Sequence, residues 1–286
     1  MDYYKGTIPI IGDTPADQAK VMEMVFPGGK GEIGHRDVGF GYVPRDLTID
    51  PPEMFAAPSD MVLIPDSEDD ARYDEEEATQ SSLEHLYLRG GKPAFVNLNQ
   101  QSDGYCWNYS NGHCVMFDRL KQGLPIVRLN PHAGAAIIKG GRNEGGWCGL
   151  GAKFLREHGI AEEGTGPGQW PFASRDLRYD TPELRASMAK YKVVEDYVDL
   201  TQPVHGQSMS KQAAKTCLFN KIPTARDYMW MSHSVCVIRR VRIERGRWGD
   251  LYINSWLNFG RFGLAVLEGS KAIFDGAVAV RASKAA

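Results

Sequence analysis

The sequence predicts an α+β fold, helices first and a sheet after them, on three observations. Helical spacing of apolar residues runs from Cys106 to about residue 160, the last hundred residues or so turn strand-rich, and no internal repeat interleaves the two. The first helix is expected in NQQSDGYCWNYSNGHCVMFDRL, residues 99–120. Asp103-Gly104 breaks the chain, apolar residues recur at Trp107, Cys114, Val115 and Leu120, and Gly123 and Pro125 end the pattern. This puts Cys106 in the first helical turn. GGWCGLGAKFLREHGI (145–160) spaces Trp147, Leu150, Gly151, Phe154, Leu155 and His158 helically, with Gly159 as the cap and His158 as a helix-end residue. TPELRASMAKY (181–191) predicts a short helix and YKVVEDYVDL (191–200) a strand. HSVCVIRRVRIE and GDLYINSW, joined by RGRWGD, predict an antiparallel hairpin.

Residues 1–80 have a different texture and are expected to form an N-terminal extension to a domain covering 81–286. DTPADQAKVMEMV (13–25) carries Pro15 in a first turn and apolar Val21, Met22, Met24 and Val25, so a short helix is expected. In DSEDDARYDEEE (66–77) eight of twelve residues are acidic, which reads as a solvated loop or linker, or as a segment cleaved or displaced on activation.

The 286 residues carry a net charge of −3, which gives no basic footprint and argues against nucleic acid as a partner. No apolar run reaches the roughly 20 residues of a membrane-spanning helix, and the first residues lack the pattern of a secretory signal, so no membrane partner is expected. Five cysteines (106, 114, 148, 217 and 236) make an odd count without CxxC spacing, pointing to a reducing compartment. The seven histidines show neither HxxxH nor HExxH, so no metal and no cofactor are expected.

Cys106 has two readings, a buried packing residue or a nucleophile. A thiol at a helix start faces unpaired backbone N–H groups and the positive end of the dipole, which favour thiolate. A nucleophile also needs a base, an orienter for that base and donors for an oxyanion. His233, at the start of one hairpin strand, is a candidate base, and Asn254, just past the partner strand, could accept its ring N–H. Gln100, six residues before Cys106, could donate to an oxyanion beside the Cys106 backbone N–H. Each residue alone has an ordinary structural reading.

Together the set resembles the papain-like cysteine peptidases of the papain and cathepsin type. Gln100 stands six residues before Cys106-Trp107, and CWNYS answers the family's Cys-Trp-Ala-Phe-Ser. Gly145-Gly146-Trp147 matches the Gly-Gly strip that lines the family's substrate cleft, the HGI after it matches as well, and WPF (170–172) stands against Tyr-Pro-Tyr. Asn254-Ser255-Trp256 is present outright, with Trp256 expected to shield the His–Asn bond. His233 and Asn254 follow Cys106 by 127 and 148 residues, near the range of about 130–150 for this arrangement. The resemblance covers roughly residues 95–265. Departures accompany it. Asp103 and Asn143 stand where the family has half-cystines, Phe259 replaces a Trp in LNFG, Ser232 precedes the histidine, and the family's helical prosegment pattern is missing from residues 1–80.

The resemblance implies a two-subdomain fold, a helical half and a β-barrel-like half with the active-site cleft between. It implies a peptidase with Cys106, His233, Asn254 and Gln100 as catalytic residues. Gly145, Gly146 and Trp147 would bind substrate, with Trp107 and Trp256 supporting. The expected partner is a peptide or protein substrate. The alternative is a papain-fold structural or binding subunit of a larger assembly such as a phage particle, so the expected location is cytoplasmic or virion-associated. A further alternative, an acyltransferase or amidase branch, is disfavoured by Asn254-Ser255-Trp256.

Overall fold

The computed structural model describes residues 8–17, 41–50, 62–192, 198–201, 208–256 and 259–280, the side chains of 208–210 excepted. Most of the expected helix at 13–25 and half of the expected strand at 191–200 lie outside these residues. The chain enters through a short strand, β1 (Ile10–Ile11). The acidic run forms helix α1 (Asp69–Thr79), followed by α2 (Leu83–Tyr87), whose cap Ser82 accepts from the His85 backbone N–H at 3.2 Å. The expected helix at Cys106 is α3 (Cys106–Lys121), which starts at the cysteine. Strand β2 (Leu129–Asn130), α4 (Pro131–Ile138) and α5 (Cys148–His158) come next. His158 ends α5 with its ring 4.6 Å from that of Phe154, and Gly159 caps it at φ 86°. Strands β3 (Ala161–Glu163) and β4 (Gln169–Trp170) complete a small sheet with β2. In α6 (Pro182–Met188), Pro182 opens the helix and Thr181 caps it, accepting from Leu184 N at 3.2 Å.

After β5 (Val198–Asp199) and α7 (Ser208–Phe219), the chain turns to strand: β6 (Thr224–Tyr228), β7 (His233–Glu244), β8 (Arg247–Ile253), β9 (Leu264–Glu268) and β10 (Gly276–Ala279). The expected hairpin is β7–β8. Among the described residues these strands form one sheet in the order β1-β9-β8-β7-β6-β10-β5. β1 joins parallel to β9, Ile10 opposite Val266, so Ile10 and Ile11 are built into the sheet half. α3 lies against β7, and one apolar cluster spans both halves, joining Val115 and Phe117 of α3 to Ile238 and Val241 of β7. Burial of each such side chain contributes about 1.5–3 kcal/mol. Among the described residues no helix is long and apolar enough to cross a membrane.

The acidic run departs from the solvated linker expected of it. α1 buries Tyr73 and Glu76 against β7, where the buried Arg239 gathers three carboxylates. Its guanidinium donates to Glu76 at 2.9 Å, Glu77 at 2.7 Å and Glu84 at 2.7 Å, and lies 4.6 Å from the Tyr73 ring centre. Arg242, further along the strand, holds Asp70 and Asp74 at 2.6 Å each. The run reads as solvated because Arg239 and Arg242, which pair with it, are more than 150 residues downstream. Burial pushes Glu76 up to about 7 despite Arg239. Replacing Arg239 with Met should strand these carboxylates and cost on the order of 3–5 kcal/mol. Urea denaturation at neutral pH checks this, and an unchanged midpoint would show that the cluster adds nothing.

Candidate active site

Cys106 is the first residue of α3, and its cap, Tyr105, offers no side-chain acceptor to the first-turn N–H groups. The Asn108 N–H turns back to Tyr105 O at 2.9 Å, while the Cys106 N–H at the helix start has no intrahelical acceptor and can face an anion. The loop before it is held by Gly104 N, which donates to Asn143 Oδ1 at 2.7 Å. A hydrogen bond from one of the two family half-cystine positions thus ties the same two loops. The Trp107 indole donates to Gly104 O at 3.1 Å.

His233 opens β7 directly after Ser232, a non-glycine residue at φ 46°. Asn254 follows β8, pinned by its N–H to Gly263 O at 2.8 Å. The register of the hairpin brings the two together, and His233 Nε2 donates to Asn254 Oδ1 at 2.9 Å. The same oxygen accepts from Ser255 N at 2.7 Å, which orients the amide. Trp256 covers the pair, its ring stacked on the imidazole at 4.3 Å and 8°. The other ring nitrogen, Nδ1, is buried without a hydrogen-bond partner. Cys106 Sγ accepts from the neighbouring Ser234 N at 3.4 Å. Gln100 closes the ring of contacts. Its Oε1 accepts from Ser255 Oγ, its backbone N donates to Ser255 O at 2.9 Å, and its Nε2 donates to Asp103 O at 2.9 Å. The structure therefore gathers Cys106, His233, Asn254 and Gln100 at one place, with Trp107 below and Trp256 above.

Two residues behind this group escaped the sequence reading. Asn97 donates to the carbonyls of Asn254 at 2.8 Å and Trp256 at 3.1 Å, and its Oδ1 meets His113 Nε2 at 2.8 Å. Burial holds the His113 ring neutral, its pKa down to about 3. Only their position behind the Asn254 loop identifies them.

The larger surprise is a strap from the N-terminal region. Residues 41–43 run parallel to Gly146: Gly146 N donates to Gly41 O at 2.7 Å and Val43 N to Gly146 O at 2.9 Å. On the opposite wall, Tyr42 N donates to Ser232 O at 3.2 Å. The strap thus lies between the two halves and over Cys106, whose sulfur also takes an N–H from Gly41. Glycine is required where it passes. A Cβ on Gly41 would sit 2.0 Å from Gly104 O, one on Gly145 2.6 Å from Gly41 O, and one on Gly146 2.7 Å from the Trp107 ring. Beyond Tyr42 the strap is clasped. Arg45 meets Asp199 at 2.6 Å, and Asp50 meets Lys153 at 2.5 Å and the Trp147 indole at 3.0 Å. Trp147 accordingly touches the strap through its indole N–H.

This burial reverses the charge state expected for Cys106. Desolvation pushes the thiol up to about 12 against the two backbone N–H groups, and Asp227 adds to the rise. Burial also drops His233 to about 4, against the help of Asn254. In the covered site the pair is a neutral thiol and a neutral imidazole. The helix start alone does not offset removal from water. Among the described residues no group of three or more His, Cys, Asp or Glu side chains could hold a metal ion.

By sequence, no protein-family model and no curated protein matches the chain. By structure it resembles xylellain, a cysteine protease from Xylella fastidiosa, at a TM-score of 0.54 and 16% identity, covering 85% of this chain and 96% of that one. It also resembles the proform of Amb a 11, a cysteine protease and ragweed pollen allergen, at a TM-score of 0.52 and 13% identity, covering 80% of this chain and 69% of that one. The fold is that of the papain-like cysteine proteases.

The strap's grip can be measured through the thiol it covers. In the unaltered chain, iodoacetamide should modify Cys106 slowly near neutral pH and faster as pH rises toward 12, because the reactive thiolate fraction grows as pH approaches the raised pKa. Gly41→Ala should displace the strap, restore water to the sulfur and speed modification at pH 7 by about a hundredfold or more. Mass-spectrometric mapping over time reads both rates. Equal rates in the two chains would remove the strap as the cause.

Proposed function

We propose that the protein is a cysteine peptidase acting through Cys106, His233 and Asn254, and that the strap keeps it latent. The observation that carries this reading is the cleft's occupant. Beside a histidine oriented by an asparagine, the site already holds an extended peptide, bound by backbone hydrogen bonds to Gly146 and Ser232. A substrate would use the same backbone groups once the strap has moved. The protease fold of the structural neighbours supports the reaction class.

With the cleft open to water and substrate, the proton on Sγ passes to His233 Nδ1, the ring nitrogen without a partner. The imidazolium keeps its Nε2–H on Asn254 Oδ1, which holds the ring in one orientation. The thiolate attacks the peptide carbonyl carbon at the start of α3. The Cys106 backbone N–H and the Gln100 side-chain amide donate to the oxyanion. His233 returns its proton to the leaving amine as the C–N bond breaks. It then takes a proton from the water that attacks the thioester, and Cys106 is regenerated. Trp256, stacked on the ring, keeps bulk water from the His233–Asn254 bond.

Peptide hydrolysis by the full chain carrying Gly41→Ala is the test, with Cys106→Ala and Asn254→Ala added in turn. Hydrolysis should appear with Gly41→Ala and vanish with Cys106→Ala. Asn254→Ala should lower turnover by up to about 10²–10⁴, the range for a positioned base. Thermal melts alongside separate catalysis from unfolding. A papain-type epoxide should label the open chain on Cys106 alone. Absence of both labelling and Cys106-dependent hydrolysis would favour a non-catalytic subunit instead.

A further inference from the structure

We infer that the pocket beneath Tyr42 selects a lysine or arginine side chain of the substrate peptide, with Asp227 as its acidic floor and Asp199 as a second cation acceptor along the cleft. The inference rests on the peptidase reading and names the class of peptide it would take.

Tyr42 is the strap residue held from both walls. Its neighbours Gly41 and Val43 pair with Gly146, and its own N–H goes to Ser232. Two residues past each of those partners stand Cys148 and Ser234, and both bind one carboxylate. Cys148 N donates to Asp227 Oδ2 at 3.0 Å, and Ser234 Oγ donates to Asp227 Oδ1. Asp227 therefore bridges the two walls under the residue that Tyr42 represents, and it is only 2% exposed. Asp275 sits beside it, its N–H on Asp227 O at 2.8 Å and its Oδ2 accepting from Met229 N at 2.6 Å. Both carboxylates act on the Tyr42 phenol, whose ionisation is suppressed first by burial and then by these two charges.

Among the described residues no cation bonds Asp227, whose partners are a hydroxyl, a thiol and a backbone N–H. A buried carboxylate without a counter-charge is costly, and an incoming ammonium or guanidinium would supply one. The strap shows the same wall taking a cation. Three residues beyond Tyr42, the Arg45 guanidinium sits on the buried Asp199 carboxylate at 2.6 Å, both side chains 5% exposed or less. Asp199 and Asp227 lie on β5 and β6, on either side of β10 in the sheet. A peptide replacing the strap meets both.

The strap serves as the probe, read by iodoacetamide modification of Cys106 in the full chain. Tyr42→Arg should hold the strap more tightly than Tyr42→Leu and slow modification relative to it by about tenfold or more, the lower end for a close charge pair. Asp227→Asn should erase that difference. Equal rates for Tyr42→Arg and Tyr42→Leu would overturn the pocket, whatever the folding of the Asp227 variant. A second arm uses the Gly41→Ala chain with fluorogenic peptides scanned for lysine, arginine or norleucine at each position before the cleaved bond. Preference for the basic residues at one position supports the assignment. Cys106-dependent hydrolysis with no such preference overturns it and leaves the peptidase reading standing. No hydrolysis of any peptide overturns the peptidase reading and the substrate class with it, while the alkylation comparison still reports on the pocket.

Discussion

Everything at the site depends on how α3 is seated on β7. The helix carries Cys106 at its first residue and the strand carries His233 at its first residue, so the packing of one on the other sets where sulfur and imidazole stand. That packing is apolar and fully buried. Val115 and Phe117 share one apolar cluster with Ile238 and Val241, and the Cys114 and Cys236 sulfurs approach to 3.5 Å. Close-packed interiors transmit small volume changes as shifts of backbone. The core beneath the cleft therefore does the positioning, and the polar groups above it refine it. Asn97, anchored by His113, holds the Asn254 loop from behind, while Gln100 holds it from the side through Ser255.

A second constraint is imposed from outside that core. A nucleophilic cysteine needs water or a cation near it to ionise, and the strap removes the water. The histidine cannot supply the charge, because the same burial favours its neutral form. Covering the site thus favours the neutral form of both groups at once without touching either side chain covalently. The strap lies over the sulfur only because three glycines let backbone approach backbone: Gly41 against Gly104, Gly145 against the strap, and Gly146 over the Trp107 ring. A Cβ on Gly145 would fill the space that the strap occupies, one on Gly41 would strike Gly104, and one on Gly146 would strike the Trp107 ring.

Charge is distributed to match. Arg239 and Arg242 of β7 are engaged by acids of α1 and α2, which fastens these helices to the sheet. The cleft wall keeps its acids buried, one engaged by the strap's own Arg45 and the other without a cation among the described residues. A net charge of −3 for the chain gives no hint of this separation.

The sequence by itself determined the elements whose signals are local. The helix start at Cys106 follows from Asp103-Gly104 and the apolar spacing after it. The β7–β8 hairpin follows from two apolar runs around RGRWGD, and Asn254-Ser255-Trp256 announces itself as a motif. Such signals act between residues a few positions apart, so they survive without the rest of the chain. Tertiary structure alone decided that α1 is a packed helix, that the strap at 41–50 lies in the cleft, and that Asp227 sits beneath it. Each of these depends on partners far along the chain: Glu76 on Arg239, Gly41 on Gly146, Asp227 on Cys148. No periodicity records a pairing across such a separation. The charge state of Cys106 belongs with them, because a pKa is set by what surrounds the atom, and the strap is contributed by residues 56 to 65 positions away.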